Sequence, residues 1–328
     1  MHHQFFLGMQ LMVAVEESKQ TVYDWMFRLF RQQHKDKFLS SFHKLGLADL
    51  PDAVACAKYH VLSNGIGGVE VEYTEESNTK AWVRFRYPRW MYAGPAICGI
   101  PVEAGRGFLQ GWYAQNGVSL NNPRLGFVCV SEDVTGQFGL CGYFQEYASD
   151  LSPEERLRFA PNESPPQYDP AKQPKPPARD WSEERLLKAN RNYALEYVRN
   201  GLSALTEVLG RTRALELLTR AARLTGLQQH SQMAKAVGAT DGDTEAAASF
   251  LSAMMSGMGD TCTRTQGQND ERQLIQHGLR VARGLEPGPR EDLLHCWVAL
   301  WQGALQAYRS PKQLTADITD QQIIWTIS

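Results

Sequence analysis

Seven of the sixteen prolines in this chain fall between Pro161 and Pro177. Proline lacks a backbone N–H and has a fixed φ. A run this dense therefore holds neither a helix nor a central strand, and it favours extended, polyproline-like backbone. The run divides the 328 residues into an N-terminal part, 1–160, a Pro-rich linker, 161–180, and a C-terminal part, 181–328. Each part is long enough to bury its own core. Its PxxP spacing would also suit a recognition motif, but a position between two halves favours a surface-running connection.

The clearest strand signal lies between Val69 and Tyr147. Val69-Glu70-Val71-Glu72-Tyr73 and Ala81-Trp82-Val83-Arg84-Phe85-Arg86-Tyr87 alternate apolar and polar residues around a polar turn, which predicts a β-hairpin. A connector rich in Pro, Gly and aromatic residues leads to a predicted helix from Glu103 to Gln115. A second hairpin then joins Leu125–Val130 to Leu140–Phe144. Helices are predicted ahead of this block, from Lys19 to His43 and from Asp52 to the stop at Asn64-Gly65.

Past the linker the pattern recurs. Helical runs extend from Ser182 to Gly210, from Arg211 to Leu227 and from Thr244 to Met258. After them come a hairpin (Thr261–Thr265 with Glu271–His277), a Gly/Pro connector, a helix from Glu291 to Tyr308, and strands at Gln313–Ile318 and Ile323–Ile327. The late-helix phrases correspond, Gly107-Phe108-Leu109-Gln110-Gly111-Trp112 against Val298-Ala299-Leu300-Trp301-Gln302-Gly303. The expected fold class is α+β. Two related units each combine helices with a hairpin–connector–helix–hairpin block that forms an antiparallel sheet, as an internal duplication would produce.

A net charge of −2 gives no electrostatic reason to expect nucleic acid or an anionic membrane as a partner. The six cysteines show no CxxC and read as reduced thiols in a cytoplasmic protein. Phe5 to Val15 is apolar but too short to span a bilayer. It has no Lys or Arg before it and no cleavage pattern after it, so it reads as a buried first element. Cys56 and His60 stand four apart on a predicted helix, yet no second ligand pair is spaced to complete a metal site.

Candidate chemistry gathers in the first connector. Arg84 and Arg86 share one strand face, and Arg89, Trp90 and Tyr92 follow. Guanidinium groups beside aromatic rings suit a carboxylate on a small planar molecule, whereas a solvated strand face would use the same residues structurally. Cys98 lies in the Gly/Pro-bearing loop Gly94–Pro101, ahead of a helix start, where a thiol can act as a nucleophile. His277 and His295 are the bases available to it, and simple packing of Cys98 is the alternative.

The terminal helix and last two strands, Trp297 to Ile327 with Asp317 and Asp320 at the turn, resemble the end of the 4-vinyl reductase type of small-molecule-binding domain. The fuller layout is similar to the L-2-amino-thiazoline-4-carboxylic acid hydrolases. That resemblance implies a small-molecule pocket between sheet and helices and hydrolysis of a C–N bond in a small cyclic, carboxylate-bearing substrate. A non-catalytic ligand-binding or sensing protein is the alternative within the same resemblance. Where such domains close with a Gly-Asp turn and a nearby Cys, this chain has Thr319-Asp320-Gln321-Gln322. No cofactor is specified, and a homo-oligomer is compatible with the sequence.

Overall fold

The computed structural model describes residues 1–86, 94–135, 137–176, 182–267 and 271–328. It has an α+β fold of two compact units, one of residues 13–194 and one of residues 1–12 with 195–328. Helix α1 (His2–Glu16) and the helix Glu183–Leu209 therefore each divide between the units. Among the described residues, no helix is long and apolar enough to cross a membrane.

In the unit of residues 13–194, Ser18 caps α2 (Lys19–Lys44) by accepting from the Thr21 amide at 3.0 Å. The stripe Val22, Trp25, Met26, Leu29, Phe30 and Phe38 is buried, as its helical spacing requires. Next come α3 (Asp52–Ile66), β1 (Val71–Ser77), β2 (Lys80–Phe85), α4 (Val102–Gly111) and the four-residue α5 (Asn116–Ser119). The strands β3 (Leu125–Ser131), β4 (Cys141–Glu146) and β5 (Leu157–Phe159) complete the unit's sheet, in the order β1-β2-β4-β3-β5. All its pairings are antiparallel except β5, a three-residue strand that the sequence does not announce and that runs parallel to β3.

Helix α3 covers one face of this sheet. On another buried cluster Trp82, Val128, Val130, Cys141 and Tyr143 pack together, with Phe138 and Ala160 against them. All seven residues of β3 are buried, which is why its sequence is a continuous apolar run rather than an alternation. The predicted Glu103–Gln115 helix breaks at Trp112, after which a short 3₁₀ turn, Tyr113–Gln115, leads into α5. None of residues 161–176 is fully buried, and they belong to the unit of residues 13–194.

The other unit repeats the hairpin–helix–hairpin order. After the Glu183–Leu209 helix, α6, come α7 (Arg211–Ala236), α8 (Thr244–Gly257), β6 (Thr261–Gln266), β7 (Arg272–His277), α9 (Pro287–Gln306), β8 (Leu314–Ile318) and β9 (Gln322–Ile327). Its antiparallel sheet is ordered β6-β7-β9-β8, matching β1-β2-β4-β3 strand for strand. The apolar start of the chain is built into this unit: Phe5, Phe6 and Met9 are fully buried, and the Phe6 ring lies 5.2 Å from that of Tyr197.

In each unit one helix pair touches backbone to backbone. A Cβ on Gly107 would stand 2.5 Å from the Tyr23 carbonyl oxygen, and one on Gly111 would stand 2.6 Å from that of Phe27, so α4 lies directly on α2. Likewise, a Cβ on Gly226 would collide with the Leu300 carbonyl, and one on Gly303 with that of Arg223, which brings α7 and α9 together. Only glycine allows this approach. α7 runs through Gly226 to Ala236, beyond the predicted end near Leu227, with Gly226 packed against α9 and His230 and Ala234 buried in the extension.

Urea denaturation tests this packing. Gly303→Ala and Gly111→Ala are expected to destabilise by on the order of 1–3 kcal/mol through overpacking, although alanine is the better helix former. Gly105→Ala, in α4 with nothing within 4 Å of its Cβ, is expected to stabilise by up to about 1 kcal/mol.

Candidate functional site

Cross-strand pairing sets Glu72 of β1 opposite Arg84 of β2. The Glu72 carboxylate receives both candidate guanidinium groups: Arg84 Nη1 donates to Oε2 at 3.2 Å and Arg86 Nη1 to Oε1 at 2.9 Å. A carboxylate thus sits between the two arginines, but it is the protein's own. Alternation puts Glu72 and Arg84 each on one strand face, and the irregularity at Glu75/Ser77 brings them opposite each other. Cys141, opposite Arg84 on β4, is pushed up to about 12 by burial, with the Arg84 charge opposing the shift. Arg89, Trp90 and Tyr92 lie outside the described residues.

Cys98 is exposed on the 3₁₀ turn Pro95–Gly99, before the start of α4. His277, at the end of β7, and His295, on α9, are exposed and belong to the other unit. Among the described residues, no group of three ligating side chains could hold a metal ion. Cys56 is fully buried, and burial drives its thiol pKa well up. Cys129 and Cys296 are buried as well, and Cys262 is partly exposed. In the native protein a thiol reagent is therefore expected to modify Cys98 first and the four buried thiols only on unfolding, as read by mass spectrometry of the labelled peptides.

Between α2, α3 and α5 lies a closed line of polar side chains that sequence reasoning missed. Arg31 Nη1 lies 3.1 Å from His34 Nδ1, His34 Nε2 lies 3.2 Å from Asn116 Oδ1, and Asn116 Nδ2 lies 2.9 Å from His60 Nε2. Because guanidinium only donates, the bonds run in one direction: Arg31 donates to His34, His34 to Asn116, and Asn116 to His60. The His60 ring stacks on Tyr113 at 3.9 Å and on Phe144 at 5.3 Å. Burial, then the Arg31 charge, lowers the His34 pKa to about 3, while burial, then His34, holds His60 well below 6.5. Both rings are neutral and closed off from solvent, so the line joins helices and carries no exposed base.

These histidines impose a pH dependence on stability. Each binds a proton only in the unfolded chain below 6.5, so the stability is fully present above about pH 7 and falls as the pH drops from 6.5 toward 3. At about pH 5.5 the loss is about 1.4 kcal/mol per histidine. Denaturant titrations at two pH values check this, and His34→Gln should flatten the dependence by one proton.

In the other unit, α7 lines a depression of about 460 Å³ with Thr212, Leu215, Glu216, Thr219, Arg220 and Arg223, and α9 adds His295. The α7 residues recur at helical spacing, opposite the buried Ala214, Leu217, Leu218, Ala221 and Ala222. From sequence this stripe is indistinguishable from a solvated helix face. Glu216 accepts from Arg213 at 2.8 Å, which offsets the one acidic charge in the lining. Arg220 Nε points to the Met12 sulfur at 3.2 Å. Thr219 Oγ1 lies 3.6 Å from the sulfur of Cys296, whose pKa burial pushes up to about 12. Of the residues proposed from sequence, the depression includes His295.

Compared with protein-family models, curated proteins and solved structures, the chain matches none.

Proposed function

We propose that the protein binds a small carboxylate-bearing molecule in the α7–α9 depression and releases it unchanged. The observation that carries this reading is the lining itself: Arg220, Arg223 and His295 beside two threonine hydroxyls, in an open depression of about 460 Å³. That volume suits a small ligand. Guanidinium groups take a carboxylate through paired, charge-assisted hydrogen bonds, and the hydroxyls of Thr212 and Thr219 add donors. The nearest thiol, Cys296, is held protonated at neutral pH and is no nucleophile there.

Calorimetric titration with a panel of small mono- and dicarboxylates tests the reading. Arg223→Met should remove a charge-assisted contact of about 1.5–3 kcal/mol, roughly a 10- to 150-fold weakening. Equal affinity in parent and variant would place the ligand elsewhere.

A hydrolytic reading, cleavage of a C–N bond in a small cyclic carboxylate, has one specific support. Cys98 is an exposed thiol on the turn just before the start of α4, where a substrate can reach it. Incubation of the protein with such cyclic compounds separates the two. Recovery of unchanged ligand supports binding alone, whereas turnover that is lost in Cys98→Ser replaces it with hydrolysis.

A further inference from the structure

Strand β1 is an edge strand, and an edge presents unpaired N–H and C=O groups that another extended segment can take. At Tyr73 those groups are already taken by a side chain one hundred residues away. The Tyr73 amide donates to Gln173 Oε1 at 2.8 Å, and Gln173 Nε2 donates to the Tyr73 carbonyl at 2.9 Å. A primary amide thereby reproduces the two-bond exchange of an antiparallel strand residue.

The segment that delivers this amide is preorganised. Asp169 Oδ1 accepts from the Ala171 amide at 2.9 Å and starts the turn Pro170–Lys172, and the second hydrogen of Gln173 Nε2 reaches the Asp169 carbonyl at 2.9 Å. Pro174 directly follows and has no N–H to donate, so the mimicry cannot extend along β1 as a backbone ladder. Both ends of the attachment are short, and the segment around it is mostly exposed. The carboxylates at the end of β1 are already held locally, Glu75 by the Tyr73 hydroxyl at 2.7 Å and Glu76 by Lys80 at 3.1 Å and Trp82 Nε1 at 2.8 Å, so recognition along this edge rests on the amide exchange and not on charge.

We propose that residues 166–176 form a releasable strap over the β1 edge, and that the lifted strap leaves a docking site. The occupant of that site is an extended, proline-flanked segment that carries a carboxamide side chain. The strap is its copy in cis, present at high effective concentration, so an occupant in trans competes only when the strap is weakened.

Residue-resolved hydrogen exchange at the Tyr73 amide provides the test. In Gln173→Ala this amide should exchange about tenfold faster than in the parent, because its hydrogen bond to Gln173 Oε1 is gone. Gln173→Glu keeps the size but turns an acceptor toward the Tyr73 and Asp169 carbonyls, and it should show the same acceleration. Adding a peptide of residues 166–176 at about 1 mM to Gln173→Ala should restore Tyr73 protection, and the same peptide with alanine in place of its glutamine should not. Unchanged exchange in both variants overturns the strap. Faster exchange without rescue by the peptide overturns the docking site and leaves a local cap. Gln173 lies on a surface segment, so both variants are expected to fold, and unchanged exchange at core amides such as Phe144 verifies it.

Discussion

Backbone contact between paired helices is the constraint on which the rest of this structure depends. Gly107 and Gly111 bring α4 onto α2, and Gly226 and Gly303 bring α7 and α9 together, at distances no side chain would allow. The close approach fixes what neighbouring residues can reach. Thr219 meets Cys296, and Arg211 makes a bidentate pair with the buried Asp292, Nη2 donating to Oδ1 at 2.6 Å and Nε to Oδ2 at 3.0 Å. In the other unit the same approach, followed by the break at Trp112, places Asn116 between His34 and His60. A methyl group at any of these glycines would push the helices apart and displace the polar contacts together with the apolar ones.

The polar groups inside the unit of residues 13–194 are largely committed to one another. The line from Arg31 to His60 uses up two histidines, and Glu72 uses up two arginines. Residue types that look reactive in a sequence are here the means by which buried polar atoms are satisfied. What stays outward-facing is different: Cys98 on its turn, and the polar stripe of α7 with His295. Those positions carry the functional proposals because solvent and ligands reach them.

Edges tell a related story. β1 is capped at Tyr73 by the Gln173 amide, and β3 is covered by the three-residue β5, which itself becomes the other outer strand of the first sheet. In the other sheet, β6 and β8 are the margins, and most of their residues are exposed. The two units thus share strand order while differing in what covers their edges.

The sequence by itself determined the α+β class, the repeated order of elements, the two hairpins of each sheet and the buried apolar start, because each rests on local periodicity and turn chemistry. The register that sets Glu72 opposite Arg84 was not legible there, because β1 runs on to Ser77 through an irregularity at Glu75/Ser77. Only the tertiary structure decided that α7 continues through Gly226, since the benefit of that glycine lies in α9, more than seventy residues away. The same holds for β5, for Gln173 on Tyr73, and for Asn116 between two histidines, each an interaction whose partners are distant in the chain. A helix stripe such as Thr212 to Arg223 reads as solvated surface until a second helix stands beside it and makes the stripe one wall of a depression. Local sequence sets which conformations are cheap, and the packing of remote segments sets which side chains meet.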